Sequence, residues 1–181
     1  MRRRTGPAWG KVAGTVFATL MTLVLVWWNA RDINNKEPFF KDFLDSEGAI
    51  FAGISEPMTY KQEQELSDAR WNYTAGRECG PTERGGKPHG GRGAFTDKTK
   101  TKASVVRSGH YNIWHRLELR GAHMIVGTGY WPNAQDIIGH TQANAELTAD
   151  LEHFDSIGSL VLFGGDLNCH IGANEDPTPI D

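Results

Sequence analysis

Short apolar runs separated by polar turns organise most of the chain, and their lengths set the expected elements. Residues 22–28 (Thr-Leu-Val-Leu-Val-Trp-Trp) read as a buried strand. Asn34 or Asn35 can cap a following helix, with Pro38 in its first turn. Phe39, Phe40, Phe43 and Leu44 form its apolar stripe, and Gly48 is a stop. Residues 49–54 (Ala-Ile-Phe-Ala-Gly-Ile) predict a second buried strand, which Pro57 closes. Strand, helix and strand in this order form a βαβ unit with parallel strands. Residues 61–69 are polar, with room for a short helix. Residues 71–96 are glycine-rich and read as a long surface loop leading to a short strand at 93–95. Lys98, Lys100 and Lys102 face one way if extended, as a phosphate contact or as a lysine-protected hairpin edge. Residues 111–119 and 124–130 alternate across Gly121 and predict an antiparallel hairpin.

Residues 136–154 carry the longest helical pattern. Leu147, Leu151 and Phe154 are expected on its buried face, with Ala143 and His140 nearby, and Asp150, Glu152 and Asp155 on its wet side. Residues 159–163 return to the sheet and lead into Gly164-Gly165-Asp166-Leu167-Asn168. Spacing of two places Asp166 and Asn168 on one face of an extended segment. A carboxylate and an amide then stand together at a strand end, beside glycines that let backbone approach closely. An acid there can hold a hard cation, and an amide can orient a water or a phosphate oxygen. Such a pair is also what an Asx-type turn contains.

Residues 1–21 form a separate basic and apolar segment before a domain at 22–181. Arg2, Arg3, Arg4 and Lys11 precede an uncharged run at 12–28, the outline of a signal or short membrane anchor. That reading excludes the strand, because Asn29 would then stand at a membrane boundary. The strand formers of 22–28 favour the sheet, with a membrane as partner only if 12–28 is an anchor.

The chain has 181 residues, enough for one domain, with 39% hydrophobic and 23% charged residues, as in a globular protein. Cys79 and Cys169 are its 2 cysteines, so a disulfide framework is excluded and a reduced, intracellular compartment is the simpler expectation. The 7 histidines show no HExxH spacing, and the Gly-x-Gly pieces open no helix, which argues against a nucleotide loop. Residues 70–120 hold eleven Lys/Arg against four acids, a local +7, whereas residues 121–181 carry nine acids and no Lys or Arg. A basic middle beside an acidic end can meet a polyanion on one surface and a cation on another.

Four strand-end motifs stand in order: Trp28-Asn29, Ser55-Glu56, Tyr130-Trp131-Pro132-Asn133 and Gly165-Asp166-Leu167-Asn168. Together they resemble the endonuclease/exonuclease/phosphatase superfamily of DNase I-like proteins. Trp28-Asn29-Ala30-Arg31 with Asn34-Asn35-Lys36, and Gly165-Asp166-Leu167-Asn168-Cys169-His170, look most like the retroelement-type endonuclease branch. The glycine-marked segment 91–95 is similar to a strand of the same group. The resemblance implies an α/β fold, a four-layer α/β/β/α sandwich, and a phosphodiester hydrolase using Mg²⁺ or Mn²⁺, with nucleic acid as partner and DNA as substrate. It makes Glu56 a metal ligand, with Asn29 supporting the metal or a phosphate oxygen. Asp166, Asn168 and Tyr130 are then catalytic, and Asn133 contacts the scissile phosphate.

Two departures follow from the same resemblance. Asp32 stands where many relatives have glycine. No late Ser-Asp-His segment follows Asn168, and His170 is too close to serve as its histidine. The chain therefore resembles a domain truncated before its last strands, expected to carry the metal site and to be poorly active. The other readings are a non-catalytic remnant that binds nucleic acid or metal, a phosphatase of the same superfamily acting on a small phosphate ester, and a membrane-anchored protein.

Overall fold

Alternation within the strands sorts side chains into three apolar layers, and those layers determine the architecture. The computed structural model describes residues 23–59, 61–76, 91–133 and 135–168 of the chain. The elements in order are β1 (Leu25–Asn29), α1 (Glu37–Ser46), β2 (Phe51–Ser55), α2 (Glu63–Leu66), β3 (Trp71–Ala75), β4 (Arg92–Asp97), β5 (Lys102–Ser108), β6 (Asn112–Leu119), β7 (Ala122–Tyr130), α3 (Ile137–Ser156) and β8 (Val161–Asp166). They form one sheet of order β1-β2-β4-β3 and a second of order β5-β6-β7-β8. β1 and β2 run parallel, as do β7 and β8.

Period two in each strand sends alternate side chains to opposite faces. Val26, Trp28, Ala52, Ile54, Tyr73 and Phe95 pack outward with Phe40, Leu44 and Leu66 of the helices. Leu25, Trp27, Phe51, Ala94, Leu117, Met124 and Val126 fill the space between the sheets. Trp114, Ile125, Val161 and Phe163 meet Phe154 and Leu147 of α3 on the far side. The result is a four-layer α/β/β/α sandwich. Trp114 is fully buried, with Phe154 edge-on at 5.0 Å and Phe163 at 5.2 Å. Truncating such a ring to alanine typically costs about 3–5 kcal/mol.

The strand at 22–28 is present as β1, and the hairpin across Gly121 pairs Asn112 through to Gly129. Among the described residues no helix is long and apolar enough to cross a membrane. Residues 1–21 lie outside the described residues, as do Cys169 and His170.

Several expectations are corrected. Lys36, not Asn34 or Asn35, is the N-cap of α1, and it makes no side-chain cap. Asn34 is diverted because its amide binds Asp32 and the Met58 carbonyl. Phe39 is 77% exposed and Phe43 47%, while Phe40 and Leu44 are buried. At 100° per residue, Phe40 and Leu44 face the sheet and the 39/43 pair turns away. Residues 71–75 are a strand rather than loop, with Trp71 and Tyr73 alternating inward. Lys98 and Lys100 sit in a turn, not an extended row, and bind the carbonyls of Asp68 and Gly48. On α3 the buried positions include Asp150, whereas Leu151 is 39% exposed. Asp150 accepts the Trp114 indole N–H at 2.6 Å and pairs with Arg107, so its charge is compensated where it is buried.

Among the described cations of the basic segment, Lys98, Lys100, Lys102 and Arg120 line one shallow pocket, and several others are paired with acids. Arg70 pairs with Asp45 and Asp97, Lys100 with Asp97, and Arg107 with Asp150. Hydrogen bonds from the Thr99 hydroxyl and backbone and from Arg70 hold the Asp97 carboxyl below the usual carboxylate range, against burial, which pushes it up.

Candidate active site

The alternation that builds the inter-sheet core continues to the ends of four strands. Leu25 and Trp27 point between the sheets, and so does Asn29, two residues further on. Phe51 and Gly53 are followed in the same way by Ser55, and Val126 and Thr128 by Tyr130. In β8 the sequence Leu162, Gly164, Asp166 ends the series. Both parallel pairs finish at one edge, so these polar termini meet above the apolar layer. Ligands collect at such an edge in α/β sheets.

Two close approaches make the meeting possible. The Trp27 indole lies on Gly164, where a Cβ would collide with the ring, and its N–H donates to the Gly127 carbonyl at 3.0 Å. Gly165 adopts φ +142°, and a Cβ there would run into the Gly129 carbonyl. Both glycines bring β8 against β1 and β7, and with it the Asp166 carboxylate.

The cleft has a volume of about 280 Å³ and is lined by Arg31, Glu56, Met58, Tyr130, Asn133, Asp166 and Asn168. Asn29 joins it from behind, donating its amide N–H to Asp166 Oδ2. The other Asp166 oxygen accepts the Asn168 backbone N–H at 3.0 Å. Tyr130 Oη donates to Glu56 Oε1 at 2.8 Å. Asn168 donates from Nδ2 to the Trp131 carbonyl at 2.8 Å, which leaves its oxygen and its second N–H for a ligand. The Asn133 carbonyl accepts the Asp136 N–H at 2.8 Å at the start of α3. All six sequence-derived residues, Asn29, Glu56, Tyr130, Asn133, Asp166 and Asn168, are therefore brought to one place.

Sequence reasoning gave no role to Ser55, Arg31 or Met58. Ser55 is 1% exposed, donates to the Gly129 carbonyl at 2.9 Å and accepts the Asp166 N–H at 3.0 Å. It pins the two sheets together directly beneath the carboxylates. Its signal was its place one residue before Glu56 on the inward phase of β2. The β1–β2 ladder also extends past the strands: Ala30, Asp32 and Ile33 N–H groups bind the carbonyls of Ser55, Glu56 and Pro57. Thr59 Oγ1 donates to Asn34 Oδ1 at 2.8 Å, closing a latch between the loops that carry Asn29 and Glu56.

The donor set suits one kind of metal. Glu56, Asp166 and Asn29 offer hard oxygens from two carboxylates and an amide, as Mg²⁺ prefers when it keeps several waters. Among the described residues no three His, Cys, Asp or Glu side chains gather, so these residues form no all-protein zinc or calcium cage.

No protein-family model matches the chain, and no curated protein matches it by sequence. Solved structures do match. A mannosyl-6-phosphatase of Bacteroides thetaiotaomicron superposes with TM-score 0.63 at 11% identity, over 84% of this chain and 68% of its own. An endonuclease/exonuclease/phosphatase family protein of the same organism gives 0.62 at 12%, over 84% and 66%. The endonuclease domain of TRAS1, a telomere-specific non-LTR retrotransposon, gives 0.53 at 11%, over 80% and 60%. The chain thus spans roughly two thirds or less of these structures, and it has the DNase I-like fold of the endonuclease/exonuclease/phosphatase superfamily. At such identities the likeness establishes the fold and selects no branch of it.

Proposed function

We propose that the chain carries the metal site of a divalent-metal-dependent phosphodiester hydrolase, an endonuclease acting on DNA. The observation that carries this reading is the convergence of Asn29, Glu56, Tyr130 and Asp166 from four strand ends on one cleft. Glu56 and Asn29 would hold Mg²⁺ or Mn²⁺, which when bound counters negative charge developing on a phosphate. Tyr130 orients Glu56 through its hydroxyl. Asp166, fixed by Asn29 and the Asn168 backbone, takes the proton of the attacking water. The remaining amide N–H of Asn168 steadies a phosphate oxygen, and Asn133, at the rim of the same cleft, stands where it can contact the phosphate.

Nicking of supercoiled plasmid in Mg²⁺ tests this. EDTA-sensitive nicking is expected, with a loss of about 100-fold or more in Glu56→Gln and Asp166→Asn, in line with removal of one charge-stabilising group. No nicking by wild-type protein contradicts the reading, and nicking that survives Glu56→Gln contradicts the site. A second reading, a phosphatase on a small phosphate ester, is supported by the likeness to the mannosyl-6-phosphatase. Faster hydrolysis of a sugar phosphate than of DNA would favour it.

A further inference from the structure

Immediately after Asn29 the backbone does something unusual. Arg31 and Asp32, neither of them glycine, adopt φ +43° and +89° in succession. Left-handed backbone is unfavourable for residues with a Cβ, and it persists only where surrounding contacts over-determine it. Those contacts are present. The Arg31 N–H donates to Asn29 Oδ1 at 3.2 Å, and its carbonyl accepts Lys36 Nζ at 3.2 Å. Asp32 accepts the Asn34 backbone N–H at 3.0 Å and the Asn34 side chain at 2.7 Å. The strained pair is thus held from both sides, and the effect is to fix one residue beside the cleft.

That residue is Arg31, which lines the cleft with Glu56 and Asp166. Of the described residues lining the cleft it is the single cation. Its guanidinium makes no hydrogen bond or ion pair with a described residue, although two carboxylates line the same cleft. The cleft meanwhile presents two negative groups to a substrate that is itself negative, so an arginine there offsets repulsion the carboxylates create. A guanidinium matches two phosphate oxygens with its planar fork.

We propose that Arg31 is a phosphate-binding residue of the cleft, gripping a substrate phosphate directly and independently of any metal. This rests on the phosphoryl-substrate reading above and adds a residue to it. The phosphate can belong to a nucleic-acid diester or to a small monoester, and the two sources are separated by probe.

The test is metal-free binding in EDTA, with a fluorescein-labelled ten-nucleotide DNA in one arm and inorganic phosphate in the other. Arg31→Gln keeps a polar, uncharged side chain at an exposed position. It is expected to weaken binding about tenfold and to reduce the salt slope of DNA binding by about one. Arg116→Gln, an exposed arginine in mid-β6, serves as the charge-matched control and is expected to stay within about twofold of wild type. A loss confined to DNA assigns the diester, and a loss in both arms assigns phosphate generally. Equal affinity of Arg31→Gln and wild type, an equal loss in Arg116→Gln, or no binding by wild type in either arm overturns the proposal. Hydrolysis that persists in Glu56→Gln with Arg31-dependent binding intact would instead remove the metal-hydrolase reading and leave Arg31 standing.

Discussion

Single residues show where local pattern and chemistry part company. His115 sits on the inward face of β6, as the alternation of 111–119 requires, but its neighbours are apolar. It is 1% exposed, lies edge-on to Phe51 at 5.6 Å, and neither ring nitrogen finds a hydrogen-bond partner among the described residues. Burial pushes its pKa from 6.5 down to about 4, so the native imidazole stays neutral. Between those values the unfolded chain binds a proton that the native state does not. Stability is therefore full above pH 6.5 and falls as pH drops toward 4, by up to about 3 kcal/mol from this group. Urea unfolding from pH 7.5 to 4.5 is expected to show that slope in wild type and a flatter one in His115→Leu. Identical slopes would mean that the imidazole is not the source. Spacing placed Asp166 and Asn168 on one face of an extended segment, but β8 ends at Asp166. Asn168 turns to φ +45° with its N–H on the Asp166 carboxylate, the Asx-type turn that the same pair also allowed. The roles of these residues and of Glu56 came from the resemblance. Arg31 was not legible, because an exposed arginine in a loop breaks no periodicity and only its backbone angle and its cleft betray it.

At the level of elements, legibility followed the strength of the local pattern. β1, β2, β7 and β8 announce themselves as short apolar runs closed by polar or proline residues. β3 carries the same alternation in Trp71 and Tyr73, but the glycines that follow it masked the strand. β5 lies at the sheet edge with every residue exposed, so no apolar phase marks it. The buried face of α3 was misjudged at Asp150 for a non-local reason. Its partners Trp114 and Arg107 come from β6 and β5, far away in the chain. That pairing makes a sharp prediction. Arg107→Ala strands a fully buried carboxylate, and is expected to cost about 2–3 kcal/mol, the lower range for a broken buried pair because Arg107 itself is half-exposed. Asp150→Asn keeps the Trp114 acceptor and should recover part of the loss in the Arg107→Ala background. A thermal double-mutant cycle measures this, and strict additivity would show that the two charges do not interact.

Across the whole molecule, two mixed sheets carry their polar strand ends to one edge because the phase of each strand is locked to the core beneath it. A one-residue slip in β1 or β8 would turn Asn29 or Asp166 away from the inter-sheet face. Trp27 on Gly164 and Ser55 between Gly129 and Asp166 guard against that slip. The strand patterns announced the βαβ unit and the hairpin, whereas the four-layer arrangement and the layout of the cleft came from the resemblance in the strand-end motifs. What spacing could not convey was the fate of the charges, since most described cations of the basic segment are spent on internal carboxylates and carbonyls. Among the described residues, Glu56 and Asp166 line one cleft, whereas Glu37, Asp45 and Asp68 line a groove without gathering at one point, and Lys41 and Arg70 already neutralise charge there. Titrating Mn²⁺ into isotope-labelled protein and mapping the paramagnetic broadening of backbone amides distinguishes them directly. The account predicts one site, with broadening centred on Asn29, Glu56 and Asp166 and abolished in Glu56→Gln. Broadening centred on Asp45 and Asp68, or none at all at the strand ends, would contradict it.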